Sequence, residues 1–116
     1  MNDAFYLADQ HGWMPAGKGM RRKIVAHSPE MMVVAVEFEK GAVGTPHQHE
    51  IHTQISYVAR GSFEAVVGDK KQVLKVGDAF VAKPFTDHGA TSLEAGSVLI
   101  DVFNPRRNDF LSEKTP

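Results

Sequence analysis

The sequence predicts an all-β protein, an antiparallel sandwich or barrel formed by a single domain. Short runs rich in β-branched and aromatic residues alternate with turn residues along the whole chain of 116 residues. No long window has the sustained 3.6-residue periodicity of an amphipathic helix. Short strands separated by frequent turns are typical of antiparallel sandwiches and barrels. The length suffices for one domain and is too short for two.

The individual elements follow from the same alternation. The predicted strands are residues 22–26, 31–39, 54–60, 63–67, 72–76, 79–82 and 97–103. The segments between them are rich in Gly, Pro, Ser and Asp, which favour turns. Residues 1–21 are predicted to form an irregular N-terminal arm, residues about 22–104 the core, and residues 105–116 a polar tail. Within the tail, residues 108–111 are predicted to form one helical turn.

Composition excludes several kinds of protein. The chain has no cysteine, so disulfides, thiolate metal sites and cysteine nucleophiles are excluded. A net charge of −1 gives no electrostatic reason to bind nucleic acid or an anionic membrane. Residues 1–13 lack the basic region and apolar run of a secretory signal, and the longest aliphatic stretch, residues 31–36, is too short to span a bilayer. We therefore expect a soluble, cytoplasmic protein.

Residues 41–54 hold three of the six histidines and predict a metal site. On an extended strand, His47 and His49 are two residues apart and project to the same side. Gln54 begins the next predicted strand and could add its carbonyl oxygen, and His88 follows a turn and could close the site. Imidazoles with an oxygen ligand suit a divalent transition metal. The histidine pair alone is equally compatible with a polar exposed segment, and His52 is out of phase with it.

Two runs of the sequence resemble the conserved motifs of the cupin superfamily. The first has the spacing Gly41-(five)-His47-Gln-His49-(four)-Gln54-(six)-Gly61, and the second extends from Gly77 to His88. The resemblance implies a cupin β-barrel, that is, an antiparallel jelly roll. It also implies that the metal ligands are His47, His49, Gln54 and His88.

This sequence departs from the usual cupin motifs at four positions. Gln54 stands where most cupins have glutamate, and Ser92 stands where asparagine is common. Lys83 and Phe85 occupy places that usually hold proline and glycine. Three neutral imidazoles and a neutral amide would leave a divalent ion its full charge, which makes it a stronger Lewis acid toward an anion.

A wider resemblance extends over residues 22–111. Residues 37–41, 52–58 and 101–110 are similar to the small single-domain cupins of pectin and alginate breakdown. These proteins convert cyclic 4,5-unsaturated uronates to the linear 4-deoxy-5-keto form. The resemblance implies an isomerase-like, ring-opening enzyme with a uronate substrate from pectin or alginate. It also implies one divalent metal ion, for which nickel, zinc, manganese and iron are all suitable, and a homodimer.

Asp101 lies in an otherwise apolar run, residues 98–103, and shares one face of that strand with Leu99 and Phe103. A carboxylate in such a place costs on the order of several kcal/mol unless it is paired or hydrated. It is therefore either a structural acid with a partner or a general acid/base facing a cavity. The resemblance implies proton transfer by Asp101, a wall for the sugar ring from Phe103, and carboxylate binding by Arg107.

Some alternatives remain open on the sequence alone. Phe103 could be an ordinary core residue, and Arg106 competes with Arg107 for the role in substrate binding. Three histidines with an oxygen ligand also suit a cupin dioxygenase that uses iron, copper or nickel. A third alternative is a module that binds a uronate or another small acid without converting it.

Overall fold

The computed structural model describes residues 4–112 and forms two antiparallel sheets. The strands are β1 (Met14–Pro15), β2 (Met20–Ser28), β3 (Met31–Phe38), β4 (Val43–His47), β5 (Thr53–Arg60), β6 (Ser62–Val67), β7 (Lys70–Lys75), β8 (Ala79–Ala82), β9 (His88–Ser92) and β10 (Ser97–Asn104). A 3-10 turn at Ala8–Gln10 precedes them, and the helix α1 (Asn108–Ser112) follows them. The predicted all-β class and the helical turn of the tail are confirmed.

The order of strands determines which side chains meet. One sheet has the order β1-β2-β3-β10-β5-β8 and the other has the order β4-β9-β6-β7. Strand β10 therefore lies in the middle of the larger sheet, between β3 and β5. Alternate residues of each strand point between the sheets, as the pleat requires.

Apolar side chains from both sheets form the core. One cluster joins Phe38, Val58 and Leu99 of the larger sheet to Phe63, Ala65, Leu74 and Ala90 of the smaller. The rings of Phe38 and Phe63 meet edge to face, with centroids 4.9 Å apart. A second cluster consists of Met32, Val34 and Phe103, against which Phe110 of α1 packs.

Several elements differ from the predictions. Strand β2 begins at Met20 and pairs with the two-residue strand β1, so the end of the predicted irregular arm belongs to the larger sheet. Strands β4 and β9 were not predicted, because both are rich in small residues and turn formers.

No helix within residues 4–112 is long and apolar enough to span a membrane.

Candidate metal centre

Three histidines from three positions in the chain meet between the sheets. His47 is the last residue of β4 and His88 is the first of β9, and the two are directly paired in the sheet. His49 lies two residues beyond the end of β4. The loop that follows the strand therefore places His49 beside the other two histidines. One ring nitrogen of each histidine lies within 4.8 Å of the others, a spacing suited to a shared metal ion.

Gln54 completes this group from the opposite sheet. It is a buried residue of β5, and its Oε1 lies 3.0 Å from Nε2 of His49 and 3.0 Å from Nε2 of His88. The amide oxygen therefore approaches two imidazole nitrogens at once. The structure thus brings together the four side chains that the sequence predicts as ligands.

The protonation states of the imidazoles fit a bound metal. Nδ1 of His47 donates to the Thr45 carbonyl at 2.8 Å, which directs Nε2 away from the backbone. Burial lowers the pKa of His49 to about 4 and lowers the pKa of His88 as well. Both rings are therefore neutral at neutral pH, which is the form that binds metals.

His88 gives the sharpest test of this fit. Its two ring nitrogens each lie 3.0 Å from a carbonyl oxygen, Nδ1 from Thr86 and Nε2 from Gln54. A neutral imidazole has one N–H, so it can donate to only one of them. A cation bound by both Nε2 and the Gln54 oxygen would account for the second contact, since both atoms are electron-pair donors. Three imidazoles with an amide oxygen suit a divalent transition metal.

Gly89 allows β9 to approach β4 closely enough to form this group. A Cβ at Gly89 would lie 2.7 Å from the Gly44 carbonyl oxygen and 3.0 Å from Cα of Pro46. Either contact would force the two strands apart. The absence of a side chain at this position therefore keeps His88 beside His47.

Asp101 is joined to the same group by a short chain of hydrogen bonds. Nε2 of Gln54 donates to Oγ of Ser56 at 2.9 Å, and the Ser56 hydroxyl donates to Oδ1 of Asp101 at 2.6 Å. Ser56 and Asp101 are direct partners on β5 and β10. Burial raises the pKa of Asp101 to about 6, and the hydrogen bond from Ser56 limits that rise.

These side chains line one cavity of about 250 Å³. Its walls include His47, Gln54 and His88, and also Asp101, Phe103 and Arg107. A larger depression of about 650 Å³ lies beside Trp13 and contains none of these six residues. Six of the side chains that the sequence predicts as site residues therefore line the smaller cavity.

The two adjacent arginines have different environments. Arg107 lines the cavity, with Cζ 5.0 Å from the centre of the Phe103 ring, and donates two hydrogen bonds to Asp109 at 2.9 and 2.7 Å. Arg106 instead donates to Asn108 at 2.9 Å. Of the two, Arg107 is thus the one in position to meet a ligand in the cavity.

The remaining residue of the histidine-rich segment, His52, stands outside the metal group. Its Nε2 donates to the Arg106 carbonyl at 3.2 Å, and its ring packs edge-on against His49 with centroids 5.6 Å apart. Its position agrees with the sequence, in which it is out of phase with the two other histidines.

Two side chains of the candidate site were missed by the sequence reasoning. Ser56 links Gln54 to Asp101, and Arg22 of β2 lines the cavity. Both follow the alternation of their strands, Ser56 between Gln54 and Val58 and Arg22 two residues after Met20. That alternation shows which side of its strand each residue occupies, but it does not identify the partners, Asp101 for Ser56 and Phe110 for Arg22.

The two antiparallel sheets and the group of three histidines with a glutamine between them define a class. The chain belongs to the cupin domain family, which matches residues 34–103.

Individual relatives are similar over nearly the whole chain. The pectin degradation protein KdgF of Dickeya dadantii is 52% identical over 107 residues, which cover 92% of this chain and 97% of that protein. The solved structure of KdgF from Halomonas sp. has 52% identity and a TM-score of 0.91, covering 92% of this chain and 99% of that one. An RmlC-like cupin from Shewanella frigidimarina has 38% identity and a TM-score of 0.88, covering 94% and 96%.

Proposed function

We propose that this protein is a metal-dependent enzyme of pectin degradation that opens cyclic 4,5-unsaturated uronates to the linear 4-deoxy-5-keto form. The observation that carries the proposal is the carboxyl of Asp101, whose pKa is about 6 and which shares its cavity with His47, His88 and Arg107. The 52% identity to a pectin degradation protein supports the substrate class. Uronates derived from alginate have the same reacting atoms and belong to the same proposal.

The reaction is an isomerisation that requires two proton transfers. A base removes the proton of the anomeric hydroxyl, C1 becomes the aldehyde, and the bond from C1 to the ring oxygen breaks. The resulting enolate gains a proton at C4, and C5 becomes the ketone. No water, oxidant or reductant is consumed.

Asp101 is suited to both transfers. With a pKa of about 6, its carboxylate predominates at neutral pH and can accept the hydroxyl proton. The same pKa makes the protonated carboxyl a competent acid toward C4, since acid–base catalysis is most effective near the working pH. The hydrogen bond from Ser56 fixes the carboxyl and leaves its second oxygen for the substrate.

Other side chains of the cavity hold the substrate. Arg107 binds the uronate carboxylate, for which a guanidinium is well shaped, and Phe103 packs against the sugar ring. His47, His49, Gln54 and His88 would hold one divalent ion, and nickel, zinc, manganese and iron all suit this set. When bound, the ion supplies positive charge that orients and polarises the anionic substrate.

Loss of the ultraviolet absorbance of the conjugated double bond tests the proposal. Metal-loaded protein mixed with unsaturated galacturonate should accelerate this loss over the spontaneous rate. Asp101→Asn should abolish the acceleration, and Asp69→Asn in the exposed turn before β7 should retain it. A wild-type rate equal to the spontaneous rate would contradict the proposal. Binding of the uronate without conversion would favour a binding module, and consumption of oxygen would favour a dioxygenase.

A further inference from the structure

We propose that Arg22 is a second carboxylate-binding residue of this cavity and that it gives the protein its preference for a uronate over the corresponding neutral sugar. The inference rests on the proposed function for the substrate class, but it does not depend on conversion of the substrate. The juxtaposition that supports it is two guanidinium groups packed on one phenylalanine ring at the wall of the cavity.

Arg22 occupies an inward-facing position on β2. Its neighbours two residues away on the strand, Met20 and Ile24, both pack into the core, so this face of β2 points between the sheets. Arg22 is paired with Val36 of β3, which in turn is paired with Leu99 of β10. The guanidinium is therefore directed into the same cavity that Asp101 lines.

Arg22 also contacts the helix α1. Cζ of Arg22 lies 3.9 Å from the centre of the Phe110 ring, and Cζ of Arg107 lies 4.1 Å from the same centre. The Phe110 ring itself meets Phe103 edge to face, with centroids 5.8 Å apart. One ring thus contacts both guanidiniums through cation–π interactions, and all three side chains line the same cavity.

Part of the hydrogen-bonding capacity of Arg107 is already in use. Its Nε and Nη2 both donate to Asp109, so one edge of its planar fork is already used. Bidentate binding of a substrate carboxylate by Arg107 alone would compete with that ion pair. A second guanidinium that lines the same cavity adds positive charge opposite the substrate carboxylate.

The strand order gives the direction in which a bound uronate lies. In the larger sheet, β10 with Asp101 stands between β2 with Arg22 and β5 with Gln54. A uronate held by its carboxylate near Arg22 and Arg107 therefore extends its ring toward Asp101. A neutral sugar lacks the group that the arginines bind and loses this orientation.

The test measures binding of galacturonate, which lacks the reactive double bond, and of galactose, which lacks the carboxylate. Both are titrated calorimetrically into the metal-loaded protein. Arg22→Gln should weaken galacturonate binding by about 10- to 100-fold, the usual effect of losing a hydrogen bond between charged groups. Galactose binding should not change. The matched control is Arg21→Gln, because the exposed Arg21 lies on the outer face of the same strand and pairs with Glu37.

Arg22→Lys keeps a charge but replaces the planar fork by a point charge, so its affinity for galacturonate should lie between those of wild type and Arg22→Gln. Should Arg22→Gln fail to fold, this variant decides. Equal affinity of wild type and the folded Arg22 variants for galacturonate would overturn the proposal, as would a wild type without preference for galacturonate over galactose. A protein that binds galacturonate through Arg22 but converts no unsaturated uronate would contradict the proposed function and leave this inference standing.

Discussion

Gln54 has contacts with both halves of the candidate site, and this explains why an amide occupies a position where most cupins have glutamate. Its oxygen faces His49 and His88, while its nitrogen donates to Ser56, which in turn donates to Asp101. The Ser56 hydroxyl oxygen and the Asp101 carboxyl therefore each receive a hydrogen. A glutamate in the same place would leave the single hydroxyl hydrogen of Ser56 between two carboxylates.

This chain gives a prediction for Gln54→Glu. Two carboxylates that share one hydroxyl repel each other, so the pKa of Asp101 should rise further above about 6. The acidic limb of kcat/KM for uronate conversion should therefore move to higher pH, while the added negative charge should tighten metal binding. Ser56→Ala is the comparison variant, because it should raise the same limb without changing metal affinity. An acidic limb in Gln54→Glu that is unmoved or lower would refute the role of the chain.

Asp101→Asn should lower the rate of uronate conversion and raise the stability of the folded protein. The substitution removes the base and should lower conversion by a factor of roughly 10² to 10⁴. Because burial raises the pKa of Asp101 from 3.8 to about 6, the folded protein carries a penalty for the ionised carboxyl above pH 6. The variant lacks this penalty and should be more stable at pH 8 by up to about 3 kcal/mol.

The pH dependence of this gain distinguishes it from a general packing effect. Well below pH 3.8 the carboxyl is protonated in both folded and unfolded wild type, so the two proteins should be equally stable. As the pH rises from 3.8 to about 6, the unfolded chain loses its proton first and wild-type stability falls relative to the variant. Urea denaturation at pH 4 and pH 8 measures the difference, and a gain of equal size at both values would contradict this account.

At the level of the elements, the turn between β8 and β9 carries backbone strain. Phe85 has a φ of 63°, a left-handed conformation that favours glycine, and its side chain is 65% exposed. Its N–H donates to the carbonyl of His49 at 2.7 Å. The strained turn thus ties the segment that carries one candidate ligand to the segment that precedes His88.

Phe85→Gly should therefore stabilise the protein. The glycine removes the left-handed penalty, and its greater freedom in the unfolded chain offsets part of the gain, which leaves about 0.5–1 kcal/mol. Phe85→Ala removes the same exposed ring but keeps the penalty, so it is the matched control. Both variants retain the N–H that bonds to His49. A glycine variant no more stable than the alanine variant in urea would contradict the prediction.

The sequence predicts the elements whose side chains alternate and misses those held by pairing alone. The predicted strands 31–39 and 79–82 differ from β3 and β8 by one residue at most. In contrast, β4 and β9 contain Gly44, Pro46 and Gly89, which locally favour turns. Their extended form comes from the pairing of β4 with β9 and of β9 with β6, which no local pattern contains.

The candidate site shows the same division. The spacing of His47 and His49 is visible in the sequence, since both belong to one short segment. Ser56 and Arg22 belong to the site because of their partners, which are Asp101 on the neighbouring strand and Phe110 on α1. Ser56 and Asp101 are 45 residues apart in the chain. Local alternation gives the face of a strand, and only the register between strands gives the partner.

At the level of the whole molecule, the candidate ligands join the two sheets. His47 and His88 belong to the smaller sheet and Gln54 to the larger one. An ion held between them binds the folded state only, because the unfolded chain does not bring these residues together. Metal binding should therefore stabilise the packing of one sheet on the other.

Removal of metal should lower the melting temperature measurably. At a free metal concentration 100-fold above the dissociation constant, binding contributes about 2.7 kcal/mol. Scanning calorimetry of the metal-loaded and chelator-treated protein checks this, with His47→Ala as the control that should show little dependence on metal. A melting temperature of wild type that is insensitive to nickel, zinc, manganese and iron would contradict the assignment of the site.

The outer face of the larger sheet is the surface best suited to the expected homodimer. Ile55 and Tyr57 of β5 and Val81 of β8 are 46%, 46% and 50% exposed, and Ile55 lies directly beside Val81. This set of three residues is the apolar strip. The edge strand β7 is a poorer surface for pairing, because Lys70, Lys71 and Lys75 place charge along it.

The homodimer should therefore form through the apolar strip. Wild type should sediment at twice its chain mass of 12.8 kDa, because a two-fold axis through this face buries the same strip of both copies. The double substitution Ile55→Lys and Tyr57→Lys should yield the monomer. Val73→Lys is the control, since Val73 is equally exposed at 46% but lies on the other sheet. A monomeric wild type would refute the homodimer, and a double variant that remains dimeric would move the interface away from this strip.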